Sequence, residues 1–141
     1  MNLKYMDLAF KEAKKAFKQD EVPIGAILVK NGEIIAKSHN KKEKKMCCLE
    51  HAELNVIKKA SKKLKNWRLE DCDLYVTLDP CPMCASAIEQ ARIKRIITGA
   101  VNNNNETNRI SSEILKNRLW TKKIKQEVCT NLMNDFFKKK R

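Results

Sequence analysis

The spacing of hydrophobic residues predicts a helix and a hairpin in the first part of this chain. Apolar residues recur at three- and four-residue steps from Met6 to Phe17, which is the period of an amphipathic helix. The continuous apolar run over 24–29 predicts a strand that is covered on both faces. An Asn-Gly pair, typical of a tight hairpin turn, follows and leads into a second strand over 34–36 that ends near Asn40.

The middle of the chain alternates between helices and strands. A helical pattern begins at His51, and residues 74–78 form a β-branched and aromatic run that predicts a third strand. A helix follows from Cys81, and residues 95–99 predict a fourth strand. A strand–helix–strand step of this kind indicates parallel pairing with a right-handed crossover.

The last third of the chain has weaker patterns. Residues 101–108 show no period and predict a loop, after which Ser111 is expected to cap a short helix. Residues 124–128 predict a fifth strand, and the apolar positions within 132–137 predict a final helix. One domain spanning 1–141 is expected from the length, without an internal repeat or linker.

Two short motifs at the starts of predicted helices carry the candidate chemistry. His51 and Glu53 supply an imidazole and a carboxylate, and Cys81 and Cys84 supply two thiols within Pro-Cys-x-x-Cys. Catalytic zinc sites use three nitrogen or sulfur ligands and leave the fourth position to water. The pattern therefore predicts zinc on the histidine and both cysteines, with Glu53 as the proton carrier for that water. Together the motifs match the signature of zinc-dependent nucleobase deaminases.

The spacing within each motif constrains the geometry of such a site. Cys81 and Cys84 are three residues apart, so at the start of a helix they share one face, where the helix dipole favours thiolates. His51 and Glu53 are two residues apart and reach one cavity only if His51 lies in the first helical turn. The predicted sheet puts the site in the same place, because ligands bind beyond the carboxyl ends of parallel strands and Pro80 follows such an end.

Charge and hydropathy limit the function classes. The net charge of +13 suggests a polyanionic partner such as nucleic acid, although AT-rich coding would also enrich lysine and asparagine without selection for binding. No apolar run is long enough to span a membrane, and the amino terminus lacks the apolar core of a signal peptide. A soluble, cytoplasmic protein with reduced thiols is expected.

The remaining cysteines leave one alternative open. Cys72 and Cys129 are expected in the core, whereas the roles of Cys47 and Cys48 are not fixed by the sequence. Cys48 lies three residues before His51, a spacing at which both side chains could bind the same zinc ion. Zinc ligation by Cys48 would close the site, make it structural and leave the carboxylate of the motif without a role.

Beyond the metal motifs, the chain resembles the bacterial tRNA-specific adenosine deaminases of the cytidine deaminase-like superfamily along its whole length. The zinc motif is specific for the superfamily, and the flanking matches indicate tRNA. The resemblance rests on five stretches besides the zinc histidine motif, namely 22–26, Asn40, 74–84, 91–93 and 135–138.

This resemblance implies a three-layer α/β/α fold with a central five-stranded mixed sheet. It implies hydrolytic deamination of the wobble adenosine of a tRNA anticodon to inosine, with one zinc ion per subunit. Asn40 resembles the base-binding asparagine of the family, and Ala52 and Pro80 are expected to contact the substrate. Phe137, Lys138 and Arg141 would meet the anticodon stem-loop.

The resemblance also implies a homodimer in which both subunits form each RNA site. Two loops depart from the family pattern, the asparagine run 102–105 and the Cys-Leu-Glu sequence over 48–50. Phe136 and Phe137 could instead be core residues, of which we expect one buried and one available. Asn40 could merely cap a turn, and His39 is expected to be structural.

Three rival functions remain open at this point. The same zinc site could deaminate free guanine, cytosine or a nucleoside, which requires no basic carboxyl-terminal helix. A closed zinc site would instead make the protein an RNA-binding module. An inactive partner subunit is the third possibility, and it would be expected to lack the glutamate that is present at position 53.

Overall fold

A computed structural model describes residues 1–140 and shows one mixed sheet of five strands with helices on both faces. The strands are β1 Gly25–Lys30, β2 Glu33–His39, β3 Cys72–Leu78, β4 Arg95–Ala100 and β5 Leu119–Thr121. The helices are α1 Leu3–Lys18, α2 Lys42–Lys45, α3 Ala52–Leu64, α4 Pro82–Gln90, α5 Asn105–Ile114 and α6 Gln126–Lys139. None of the helices within 1–140 has both the length and the apolar character needed to cross a membrane.

The strand order is β2-β1-β3-β4-β5. β1 pairs antiparallel with β2 and β3, whereas β3 pairs parallel with β4 and β4 parallel with β5. The carboxyl ends of β3 and β4 therefore lie at the same edge of the sheet. The five-stranded mixed sheet predicted from the sequence is confirmed.

Alternate side chains of the central strands face two separate hydrophobic cores, as the period of a strand requires. On one face, α3 and α4 cover a core that includes Leu28, Leu74 and Val76. On the other face, α1 covers Ile27 and Tyr75. α6 packs beside α1, against β3 and β4. The sheet thus forms the middle layer of an α/β/α arrangement.

The first hairpin and the helix starts agree with the sequence patterns. Asn31 and Gly32 both have positive φ, which is the backbone of a type I′ turn. His51 and Cys81 are the residues immediately before α3 and α4. His51 therefore lies at the helix start, as its spacing from Glu53 requires.

Two predictions in the last third of the chain are wrong. Residues 101–108 are not all loop, because the side chain of Asn104 accepts a hydrogen bond from the amide of Thr107 and caps α5. Ser111 consequently lies inside this helix and does not cap it. The start of this helix could not be predicted from hydrophobic periodicity, because the asparagine run contains no apolar residue.

The fifth strand is also displaced from its predicted place. It spans Leu119–Thr121, whereas residues 124–128 include the start of α6. Lys123 and Lys125 both have positive φ, which interrupts an extended strand. Within this stretch, the amide of Ile124 still bonds to β4, at the carbonyl of Thr98.

Gly25 allows α1 to lie directly on the sheet. A Cβ atom at this position would be 2.0 Å from the carbonyl oxygen of Ala9 and 2.5 Å from the amide nitrogen of Ala13. Both are backbone atoms, which cannot rotate away as a side chain can. The absence of a side chain at position 25 therefore sets the distance between helix and sheet.

We predict that Gly25→Ala destabilises the fold by about 3 kcal/mol, the upper end of the usual cost of overpacking, because α1 must move as a whole. Gly32→Ala is the matched control. Its Cβ would meet nothing within 4 Å, so it should cost only the left-handed backbone penalty of about 1 kcal/mol. Urea denaturation measures both, and a Gly25→Ala protein as stable as the control would contradict the packing described.

Candidate metal centre and active site

The three predicted metal ligands meet between the amino-terminal ends of α3 and α4. His51 precedes α3, Cys81 precedes α4, and Cys84 lies in the first turn of α4. The Nδ1 atom of His51 is 3.8 Å from the Sγ of Cys81 and 3.4 Å from the Sγ of Cys84. All three candidate ligand atoms lie within 4.8 Å of one another.

These separations fit a single tetrahedral ion. Ligands held about 2.0–2.3 Å from zinc at tetrahedral angles are roughly 3.3–3.8 Å apart, which is close to the nitrogen–sulfur distances observed here. The donor set of one nitrogen and two sulfurs is also one that zinc prefers. The site is therefore able to hold a metal ion such as zinc.

The electrostatics of the cluster favour a thiolate. A hydrogen bond from Cys84 lowers the pKa of Cys81 to about 4, against the opposing effect of burial, and the hydrogen bond to His51 adds to this. The pKa of Cys84 is raised, because its thiol donates to Cys81 and is buried. The hydrogen bond to Cys81 also raises the pKa of His51. These contacts therefore favour the thiolate form of Cys81, which is the form that binds a cation.

Glu53 lies beside this cluster in the first turn of α3 and is only 3% exposed. Burial raises the pKa of its carboxyl to about 7. Its Oε1 atom has no hydrogen-bond partner within residues 1–140. Buried polar atoms are nearly always paired, so an unpaired one indicates a place for a water molecule or a ligand.

Asn40 connects β2 to the start of α3. Its Oδ1 atom accepts a hydrogen bond of 2.8 Å from the amide of Ala52, and both residues are buried. Asn40 also lines a pocket of about 450 Å³, together with Lys42 from α2 and Phe136 and Lys140 from or next to α6. The structure therefore shows a helix-capping contact for this side chain and places it at a pocket as well.

Pro80 is buried between the third strand and the two thiols. Its carbonyl accepts a hydrogen bond of 2.8 Å from the hydroxyl of Ser111 on α5. Ala52 and Pro80 thus border the metal cluster through the main chain. Their contact with a substrate stays a prediction.

The cysteine alternative is not supported by the geometry. Cys47 and Cys48 are both exposed. Within the described part of the chain, the metal-binding group contains His51, Cys81 and Cys84 without Cys48. Within residues 1–140, the candidate group thus offers three ligand atoms, and Cys48 is not among them.

The other expected residues lie as follows. Phe136 is buried, whereas Phe137 is 45% exposed, so one ring is available as predicted. Lys138 lies on the last exposed turn of α6, and Arg141 falls outside the described residues. His39 is buried and bonded to Glu12 and Gln19, as expected for a structural role.

Comparison with known proteins shows the family of this chain. The family model of MafB19-like deaminases matches residues 1–141. The tRNA-specific adenosine deaminase of Bacillus subtilis (strain 168) is 41% identical over 143 residues, which cover 97% of this chain and 89% of that protein. The chain belongs to the tRNA-specific adenosine deaminase family.

Solved structures place this family member among related deaminases. A structure from studies of A-to-I editing by tRNA:A34 deaminases, at the wobble position of transfer RNA, superposes with a TM-score of 0.86 at 36% identity. That match covers 93% of this chain and 99% of the other. The guanine deaminase of Bacillus subtilis matches with a TM-score of 0.68 at 36% identity, over 72% of this chain and 66% of that one.

Sequence reasoning missed a buried polar network that holds the segment before Cys81 in this deaminase. The carboxylate of Asp79 accepts a hydrogen bond of 2.6 Å from the hydroxyl of Thr98, which in turn accepts one of 2.9 Å from the Trp120 indole. Burial raises the pKa of Asp79. The Asp-Pro pair before the first cysteine was a visible signal, but nothing in the sequence joins it to Trp120 or Ser111.

We predict that Ser111→Ala destabilises the fold by about 1–3 kcal/mol, because it leaves the buried Pro80 carbonyl without its donor. The neighbouring Ser112→Ala is the matched control on the same helix. Ser112 is partly exposed and should tolerate alanine within about 0.5 kcal/mol. Thermal unfolding of the two variants separates them, and equal midpoints would refute the anchoring role.

Proposed function

We propose that this protein is a zinc-dependent hydrolytic deaminase that converts adenosine to inosine at the wobble position of a tRNA anticodon. The observation that carries the proposal is the convergence of His51, Cys81 and Cys84 beside the buried carboxylate of Glu53, whose Oε1 atom has no hydrogen-bond partner within residues 1–140. The identity to tRNA-specific adenosine deaminases over nearly the whole chain supports the choice of substrate.

In this proposal, His51, Cys81 and Cys84 hold one zinc ion per subunit. The support is the donor set, the nitrogen–sulfur distances and the thiolate character of Cys81. Bound zinc supplies Lewis acidity that lowers the pKa of a coordinated water molecule towards neutrality.

Glu53 is the proton carrier of the proposed reaction. The oxygen of water bonds to C6 of adenine and the bond from C6 to the amino nitrogen breaks, so that water and adenosine give inosine and ammonia. The Glu53 carboxylate takes a proton from the water and gives it to ring N1. It then takes the second proton of that water, from the new hydroxyl on C6, and transfers it to the leaving amino group. Its burial keeps bulk water from exchanging these protons.

In this proposal, the substrate base is held by Asn40 and by the residues that precede and follow the metal ligands in sequence. Asn40 uses its Oδ1 atom for the amide of Ala52, which leaves its Nδ2 amide to donate to an acceptor on the base. Ala52 and Pro80 form the adjoining walls. An anticodon loop suits this site, because its bases are unpaired and can be splayed out at low cost.

Basic and aromatic groups around the pocket would bind the RNA backbone and bases. Lys42 and Lys140 line the pocket together with the carboxylates of three acidic residues, and Lys140 is paired with one of these, Asp20. The exposed ring of Phe137 lies outside this pocket and is available for stacking. Lys138 extends this surface, and the proposal includes Arg141. Burial, and after it repulsion from three neighbouring lysines, lowers the pKa of Lys41, so phosphate would relieve a crowded set of positive charges.

A homodimer and a cytoplasmic location belong to the same proposal. Met46 is 90% exposed and Leu49 is 50% exposed in the segment that leads to His51, so a second subunit could cover apolar surface beside the active site. Cytoplasmic tRNA is the substrate that such an enzyme would meet. Sedimentation of the purified protein tests the dimer directly.

The direct test of function is to incubate the protein with a tRNA anticodon stem-loop and to measure inosine formation. Free guanine, cytosine and cytidine are tested in parallel, because the same fold serves a guanine deaminase. Inosine in the stem-loop supports the proposal. Release of ammonia from a free base alone would favour the rival activity.

We predict that Glu53→Gln lowers the rate of inosine formation by about 10²–10⁴, the usual value of a positioned proton carrier, because the amide cannot take up the proton. Zinc content should stay at one ion per subunit, since Glu53 is not in the ligand group. Glu50→Gln is the matched control, because Glu50 pairs with Lys58 at the surface. Near wild-type activity of the Glu53→Gln protein would defeat the assignment.

We predict that binding of the stem-loop weakens steeply with salt, because each neutralised phosphate releases counterions. Lys42→Ala and Lys140→Ala should each reduce the slope of log K against log salt by about 0.7. Lys94→Ala is the control. Lys94 is exposed and lies just before the amino end of β4, whereas the site lies at the carboxyl ends of the strands. Fluorescence anisotropy between low and high salt measures the slopes, and equal slopes for all variants would count against this RNA surface.

A further inference from the structure

We propose that Glu12 and His39 are positioning residues, which fix Asn40 at the active site through a buried polar link from α1. The link consists of Glu12 and His39, which are buried, and of the exposed Gln19 at the other nitrogen of the His39 ring. The inference rests on the proposed function, because it assigns a role to residues that support the proposed base-binding side chain. It concerns residues outside the metal cluster and on the opposite face of the sheet.

His39 is held at both ends of its ring. Its Nδ1 atom is 3.0 Å from Oε1 of Glu12, and its Nε2 atom is 3.2 Å from Oε1 of Gln19. Glu12 and His39 are both buried, and the other carboxylate oxygen of Glu12 accepts a hydrogen bond from Lys15. A ring with two fixed contacts cannot rotate about its side-chain bonds without breaking one of them.

The main chain transmits this restraint to the active site. His39 is the last residue of β2, and Asn40 follows it directly. The amide of Asn40 bonds to the carbonyl of Ile24, and its side chain accepts from the amide of Ala52 at the start of α3. A displaced His39 would therefore move Asn40 and release the amide of Ala52.

Gly25 places α1 within reach of this chain. Gly25 pairs with His39 in the sheet, and the missing side chain at position 25 lets α1 pack against β1. A Cβ atom there would be 2.8 Å from the Cβ of Glu12. The close approach thus brings the carboxylate of Glu12 to the end of β2.

A packing role alone does not explain these residues. Replacing a buried polar pair with apolar side chains of similar volume is often neutral or stabilising, so the link is not needed to fill the interior. Polar contacts do fix one geometry, because each hydrogen bond has a preferred direction and distance. The residue that this geometry holds in place is Asn40, which lines the pocket.

A double-mutant cycle tests the link with kcat/KM for the anticodon stem-loop as the readout. If Glu12 acts through Asn40, Glu12→Ala should lower kcat/KM by about tenfold in the wild-type protein, mainly through KM, but by less than about twofold in an Asn40→Ala background. Glu12→Gln should retain most of the activity, because its amide oxygen still accepts from His39. Equal effects in both backgrounds would overturn the proposal.

Hydrogen exchange gives a second readout that does not need activity. Exchange of the Ala52 amide should be at least about tenfold faster in Glu12→Ala, because that amide depends on a correctly placed Asn40. Asn2→Ala is the matched control, since Asn2 caps the far end of the same helix. It should leave exchange at Ala52 within about twofold of the wild-type rate.

The two readouts separate the failure of the link from the failure of the proposed function. Unchanged exchange at Ala52 in Glu12→Ala overturns the link, whatever the activity. A wild-type protein that forms no inosine refutes the proposed function, and exchange then still decides the link. If Glu12→Ala does not fold, His39→Gln replaces it in both measurements, with the same expected results and the same contradicting ones.

Discussion

The meeting of one imidazole and two thiols at two helix starts is the constraint on which the rest of this structure depends. His51 and the two cysteines are about thirty positions apart in the sequence, so only the fold can bring them together. The sheet does this because β3 delivers Cys81 at its carboxyl end, while β2 delivers Asn40 and the segment that ends in His51. Both helix dipoles then point their positive ends at the thiolate.

A second feature of the site is that its polar groups are buried and held from several sides. Glu53, Asp79 and Asn40 all lie in the interior, where unpaired polar atoms cost stability. Asp79 has Thr98 as its partner, and Asn40 has the amide of Ala52. Glu53 keeps an unpaired oxygen. The scaffold thus satisfies the supporting groups and leaves the proposed reactive one free for a ligand.

Local patterns predicted much of the fold and the centre of the site, because they depend on residues close in sequence. Periodicity predicted the first hairpin and α1, α3 and α4, and motif chemistry singled out the three side chains that meet in the candidate metal group and the glutamate beside them. The cap formed by Asn104 and the positive φ of Lys123 could not be predicted, because neither a polar cap nor a left-handed lysine changes the hydrophobic pattern. The partners of Pro80 and His39 come from α5 and α1, and such contacts arise only when the chain has folded.

The proposed reaction depends on the coordination of the metal, which zinc K-edge X-ray absorption of the purified protein measures directly. Two sulfur atoms at about 2.3 Å are expected, with one imidazole nitrogen and one further light atom at about 2.0 Å. Protein without zinc would contradict the account. A shell of three or four sulfurs would contradict it as well, because the site would then be closed by protein ligands and have no position left for the reacting water.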